Sequence, residues 1–286
     1  MQVARLAQDG MLIVPEEQPF SRVRERIIVP RSVLHGLLMA LHFKFLHPSR
    51  HQTKLLFNRF FYALDVEKAI EKITSTCHHC TSLASIPKHF QTQSTSAPPL
   101  SVGTNFAADV MRRYRQHIFV IRETVSSYSL TSLIEDEKKD TLRNVIITLC
   151  SQLRYHVGSD IHIRVDAAPA FQALEKDATL KKHGIHLDLG FVKNVNKNPV
   201  AERAIEELGL ELLHLSPDGG PVSSVTLALA TASMNSRIRH GGLSSAEVWT
   251  QRDQVTGEQL PVSDRDLIQQ QHRQRLDNHP YSAKRL

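Results

Sequence analysis

The chain has 286 residues, of which 41% are hydrophobic, 22% charged and 6% aromatic, enough apolar material for one or two buried cores and unlike disordered or collagen-like chains. The formal net charge is +6, but residues 1 to 100 hold 12 Lys/Arg against 7 Asp/Glu and the remainder 23 against 22, so a phosphate-binding surface in the larger second part must be a local patch. No run approaches the roughly 18 apolar residues of a membrane span, and the start has neither the cationic nor the long apolar region of a signal peptide, so a cytosolic or nuclear protein is expected. Three cysteines are too few for a disulfide framework.

In chain order, residues 11 to 14 and 26 to 30 read as short strands, and Leu34, Leu37, Leu38, Leu41 and Phe45 mark a helix. The Pro- and Ser-containing stretch 85 to 103 reads as a linker. Three strands follow, Asn105 to Val110, His117 to Arg122 and Ser127 to Ile134, spaced as an antiparallel meander. A helix over 138 to 153 buries Leu142, Val145, Ile146 and Leu149, with Cys150 as plain core, and Ile161, Ile163 and Val165 form a fourth strand. A short helix near Phe171 and a fifth strand over 185 to 192 lead to Asn198-Pro199, which suits an N-cap with proline at the first helical position. The helix it opens carries the stripe Ala201, Ile205, Leu208 and Leu212, which is expected to be buried together with Ile163 and Val165. Leu227, Thr231, Met234 and Ile238 share a later helix, and Ser244 with Glu247 is a capping-box pattern. The fold class that follows is α/β, a five-stranded mixed sheet with helices packed on it, preceded by a small helical domain.

His42 and His47, then Cys77 and Cys80, supply two imidazoles and two thiolates, a donor set suited to tetrahedral zinc. The intervening run LLFNRFFYALDVEKAIEKI would provide a small apolar core, which zinc would help to fold. His51, His78 and His79 remain competing ligands, because spacing does not separate them.

Three acids stand out by position: Asp109 in the first strand after the linker, Asp166 at the end of the fourth, and Glu202 in the first turns of the helix after Asn198. Strand ends and a helix packed over them can bring all three together, and their mutual repulsion would call for a divalent cation. Two Mg²⁺ or Mn²⁺ ions roughly 3.5 to 4 Å apart would suit phosphodiester displacement. Glu206 is an alternative to Glu202, and Asp160 to Asp166.

These residues, with FAADV around Asp109, RVDAAPAF around Asp166, KNVNKNPVAERAIEEL around Glu202 and the 35 residues 167 to 201 between the last two acids, resemble the integrases of gypsy-class LTR retrotransposons, which are related to retroviral integrases. The resemblance spans roughly residues 10 to 250. It implies a ribonuclease-H-like catalytic core with Asp109, Asp166 and Glu202 as catalytic residues and magnesium ligands, and a zinc domain with His42, His47, Cys77 and Cys80 as ligands. The activity implied is a polynucleotidyl transferase that processes the 3′ ends of element DNA and joins them to target DNA, acting as a homo-oligomer in the nucleus after passage through the cytoplasm and virus-like particles. The domains would be an N-terminal strand segment (1–30), a zinc-binding domain (31–84), the linker (85–103), the catalytic core (104–250) and a C-terminal helical tail (251–286). The chain departs from the family where Tyr62-Ala63 replaces a Trp-Pro pair and where HPSRHQT lacks a glycine after the second histidine.

Lys193 and Lys197, in the polar loop before Glu202, are the foremost candidates for DNA phosphate contacts, with Lys138, Lys139 and Arg143 at the start of the long helix as further ones. The rival class is a host DNA-binding or protein-interaction factor that keeps the fold without turnover, and a cut-and-paste transposase is a third.

Overall fold

The computed structural model describes residues 4–8, 10–18, 21–83, 101–153, 160–190, 198–239, 242–260 and 266–269. The chain divides into two units, Met1–His89 with Ser236–Val262, and Phe90–Asn235 with Ser263–Leu286. Among the described residues no helix is long and apolar enough to cross a membrane.

In the first unit, strands β1 (Arg5–Leu6), β2 (Leu12–Gln18) and β3 (Ser21–Ile28) pair antiparallel. Extended Pro30 then serves as the N-cap of α1 (Arg31–Lys44), since proline lacks the N–H that a helix start would leave unpaired. Ser49 and Gln52 form a capping box that opens α2 (Arg50–Phe60), a signal present in the sequence but not among the elements expected from it. Strand β4 (Phe61–Tyr62) adds to β3 in parallel and completes the order β1-β2-β3-β4. Helices α3 (Val66–Thr76) and α4 (His78–Leu83) follow. Val29, Leu34, Leu38, Phe57, Ile70 and Ile73 make the core, so the run expected to supply it does so.

The second unit holds the mixed sheet. Strands β5 (Asn105–Arg113), β6 (Gln116–Glu123) and β7 (Ser129–Ile134) form the expected meander. Helix α5 (Lys139–Leu153) leads to β8 (Ile161–Val165), which pairs with β5 in parallel on the side away from β6. Short helices α6 (Pro169–Gln172) and α7 (Ala178–Lys182) connect to β9 (Ile185–Leu189), parallel to β8. The order is β7-β6-β5-β8-β9, a five-stranded mixed sheet as expected, and Cys150 is buried in α5.

Helices α8 (Pro199–Leu215) and α9 (Ser224–Ser236) cover one face. Ala204, Leu208 and Leu212 of α8 pack with Leu227, Ala230 and Met234 of α9 against Ile118 and Val120 of β6. The expectation that Ile163 and Val165 would join Leu208 is corrected: both are fully buried, but outside this group. Beneath the helices, buried Arg122 donates to Glu207 Oε2 at 2.6 Å and to Ser129 Oγ at 2.9 Å. Glu123, fully buried, accepts from the backbone N–H groups of Gly103, Val125 and Ser126, which fix the β6–β7 turn. Burial still pushes its carboxyl above the ordinary range.

Ile238, expected inside the last core helix, lies beyond α9 and bridges to Ser244, whose capping box opens α10 (Ser245–Thr250) as expected. This segment belongs to the first unit, whereas the sequence places it at the end of the catalytic core. Gln52 donates to Ile238 O at 2.8 Å, and Arg59 donates to both Glu247 and Asp253 at 2.8 Å, with both carboxylates fully buried. Most of the linker and of the C-terminal tail lies outside the described residues.

Removing the arginine strands two buried anions, which generally costs far more than a surface pair. Arg59→Met is expected to lower unfolding stability in urea by about 3–5 kcal/mol. A loss under about 1 kcal/mol would show that Glu247 and Asp253 do not depend on it.

Candidate active site and metal centre

His42 sits in the last turn of α1, and the chain must reverse at once to return His47 to it. Leu46 and His47 do so in the left-handed region, at φ 53° and 58°, and the His47 N–H donates to His42 O at 2.8 Å. Left-handed backbone costs a residue with a Cβ roughly 1–2 kcal/mol, so this turn is strained. Cys77 ends α3 in extended conformation, and Cys80 follows within α4. His42 Nε2 lies 3.0 Å from His47 Nδ1 and 3.4 Å from Cys80 Sγ, and Cys77 Sγ lies 3.2 Å from His47 Nδ1.

All four donor atoms fall within 4.8 Å of one another, and they are the one such group of His, Cys, Asp or Glu among the described residues. The edges of a tetrahedron with zinc–nitrogen and zinc–sulfur bonds are about 3.3–3.8 Å. The separations, from 3.0 Å upward and all within 4.8 Å, bracket that range, so small side-chain shifts would bring the set onto it. Burial lowers the pKa of His42, which keeps it neutral as a ligand must be. The Cys80 thiol is pushed up to about 11, by burial first and then by Cys77, a penalty that a bound cation would reverse. Of the competing histidines, His79 stacks on the His47 ring at 4.8 Å, and neither it, His51 nor His78 belongs to the group.

The carboxylates are placed by sheet register. In β5 and β8 the pairs are Asn105↔His162, Phe106↔Ile163 and Ala107↔Arg164; two steps past the last pair, Asp109 is level with Asp166. Level residues on neighbouring strands point to the same face. That face is known from β6, because Asp109 pairs with Val120, and Val120 lies under α8. Met111, two residues on, also packs there and reaches within 3.7 Å of a Cβ built at Gly209. Glu202 lies one turn before Ile205, which packs against these strands, and its charge acts on Asp109.

Asp109 feels this arrangement. Its carboxyl is pushed up to about 6, first by burial and then, against a hydrogen bond from the Val110 N–H, by the charges of Asp166, Glu202 and Glu137. Glu206, the alternative third acid, is exposed and paired with Arg203 at 3.1 Å. Asp160 lies before β8, at the far end from Asp166, 3.7 Å from His186. Glu137 was not legible as a neighbour of the site; Arg112 Nε donates to it at 2.8 Å, and His117 Nε2 is 3.4 Å away.

Asn198 departs from expectation. It precedes α8, but its side chain makes no cap bond to that helix. Nδ2 donates instead to Ala108 O at 2.9 Å and Arg164 O at 3.1 Å, while the Asn198 carbonyl accepts the Glu202 N–H at 3.0 Å.

The basic candidates fare differently. Lys193 and Lys197 lie outside the described residues. Lys138 pairs with Asp136 at 2.6 Å, and Lys139 and Arg143 lie 3.4 Å and 3.7 Å from Asp177, so a phosphate would have to compete for each. Asp177 is itself the N-cap of α7. Arg113 is buried and donates to the carbonyls of Ser216 and Gly220, which makes it structural.

Two outcomes are expected. Chelation of a zinc-loaded sample should unfold the segment from about 30 to 85 and leave the second unit folded, as read by hydrogen exchange; unchanged protection around His42 and Cys80 would contradict it. An acid whose folded pKa is raised holds its proton longer in the folded state, so stability falls as pH rises from the unfolded value of 3.8 through about 6. In metal-free protein Asp109→Asn should therefore raise the melting temperature at pH 7 and leave it nearly unchanged at pH 4, and a lowered melting temperature at both would contradict it.

No protein-family model matches the sequence, and no curated protein matches it significantly. Among solved structures, the chain is similar to the catalytic core domain of BIV integrase in a crystal structure, at 26% sequence identity over 52% of this chain and 95% of that one, with a TM-score of 0.44.

Proposed function

We propose that the protein is a polynucleotidyl transferase of the gypsy-class retrotransposon integrase type, which processes the 3′ ends of element DNA and joins them to target DNA. The observation that supports the reading is the level placement of Asp109 and Asp166 on neighbouring strands, with a carboxyl at Asp109 raised first by burial and then by the charges of Asp166 and Glu202. Ligands of open α/β sheets lie beyond the carboxyl ends of the strands where the order reverses, and here that point falls between β5 and β8.

In this reading Asp109, Asp166 and Glu202 hold Mg²⁺ or Mn²⁺. Such ions supply compensation for the negative charge that develops on the attacking and leaving oxygens of a phosphodiester. Asp109 contributes a carboxylate that is costly to ionise without a cation and so favours one strongly above pH 6. No nucleophile within the chain is required, because water serves for processing and the freed 3′-hydroxyl for joining. Lys193 and Lys197 contact DNA phosphate; Lys138, Lys139 and Arg143 do so only by exchanging their acid partners for it. His42, His47, Cys77 and Cys80 hold a structural zinc. A nuclear location and a homo-oligomer acting on paired DNA ends complete the proposal.

The test is incubation of purified protein with candidate terminal-repeat DNA ends and Mg²⁺ or Mn²⁺. Asp109→Asn, Asp166→Asn and Glu202→Gln should each abolish processing and joining while leaving DNA binding largely intact, because these carboxylates offer phosphate no attraction. Glu206→Gln should stay active. Loss of activity in Glu206→Gln with retention in Glu202→Gln would overturn the assignment of the third acid. Metal-dependent activity absent from the wild type would favour a binding factor that has kept the fold.

A further inference from the structure

The geometry points to Asn198 as a positioning residue for this reaction: its side-chain amide and its carbonyl together set the spacing of Asp109, Asp166 and Glu202. The inference rests on the transferase reading above and adds to it a residue that touches none of the reacting groups.

The parallel ladder between β5 and β8 ends at Ala107↔Arg164, just before both acids. At that point Nδ2 of Asn198 spends its two hydrogens on one carbonyl from each strand, Ala108 O and Arg164 O. The amide therefore holds the strands at a fixed separation where their ladder no longer does. Asp109 is the next residue along β5, and Asp166 is two residues beyond Arg164. The third acid is tied to the same residue, because the Asn198 carbonyl accepts the Glu202 N–H. Pro199, with a fixed φ and no N–H, starts the helix directly from this anchor.

Asn198 is 2% exposed, so water does not substitute for these bonds. Serine caps a helix about as well as asparagine, but it cannot donate two hydrogens. The carboxylates repel one another, so without the clamp they would move apart and the cation site would widen. Loss of such outer contacts typically weakens metal binding about 10- to 100-fold.

The experiment uses the zinc-loaded full chain, Mn²⁺ titration calorimetry and amide hydrogen exchange. Asp109→Asn identifies the heat that belongs to the acids. Asn198→Ser should bind Mn²⁺ about 10- to 100-fold more weakly and exchange the Glu202 amide faster, with zinc content unchanged. Asn198→Gln keeps the amide one methylene further out and should fall between Asn198→Ser and wild type. Leu208→Ala, which loosens the helix packing without touching the strand ends, should lower the melting temperature and keep wild-type Mn²⁺ affinity. Wild-type affinity in Asn198→Ser, Asn198→Gln weaker than Asn198→Ser, or an equal loss in Leu208→Ala would overturn the positioning role. If the wild type shows no Mn²⁺ heat that Asp109→Asn removes, the transferase reading fails, and Glu202 exchange in the Asn198 variants still decides the clamp: faster exchange upholds it and unchanged exchange overturns it.

Discussion

The cost of burying a carboxylate beside other carboxylates is the constraint on which the second unit turns. Asp109, Asp166 and Glu202 are drawn from two strands and a helix, and the Asp109 carboxyl is raised first by burial and then by the charges of the others. The energy that holds them there comes from elsewhere. Ala204, Leu208 and Leu212 lock α8 onto Ile118 and Val120, the buried Arg122–Glu207 pair fixes its rotation, and Asn198 fixes its start.

The first unit meets the same difficulty with other chemistry. Its core is small, and its turn at Leu46 and His47 is left-handed without glycine. Four donor atoms within 4.8 Å give a metal ion the means to offset that strain and to replace core that the chain lacks. The segment after α9 adds a second fastening through Arg59, Glu247 and Asp253. Buried ion pairs thus occur in both units, Arg59 with Glu247 and Asp253 in the first and Arg122 with Glu207 in the second.

Much of this was legible in the sequence, for local reasons. The meander, the long helix and the parallel strands follow from short-range apolar periodicity, and the Ser244 capping box depends on residues three apart. The His and Cys pairs could be read from spacing, although only the fold separates His47 from His79, which stacks on it. The role of Asn198 was hidden because its acceptors lie 90 and 34 residues away, so the Asn-Pro pair resembles a simple cap. Glu137 was hidden in the same way, and the fastening of α10 to α2 spans 188 residues between Arg59 and Glu247. The three acids are visible along the chain, whereas the tertiary hydrogen bonds of Asn198 are not.

In the proposed function the acids at the parting of β5 and β8 share one divalent-cation site. Anomalous diffraction from crystals grown with Mn²⁺ tests it directly, because the scattering locates the ion without reference to any assumed ligand. The expected peak lies within coordination distance of Asp109 and Asp166, on the face covered by α8 and next to Glu202. A peak on Glu206 or Asp160 instead, with no density between Asp109 and Asp166, would contradict it.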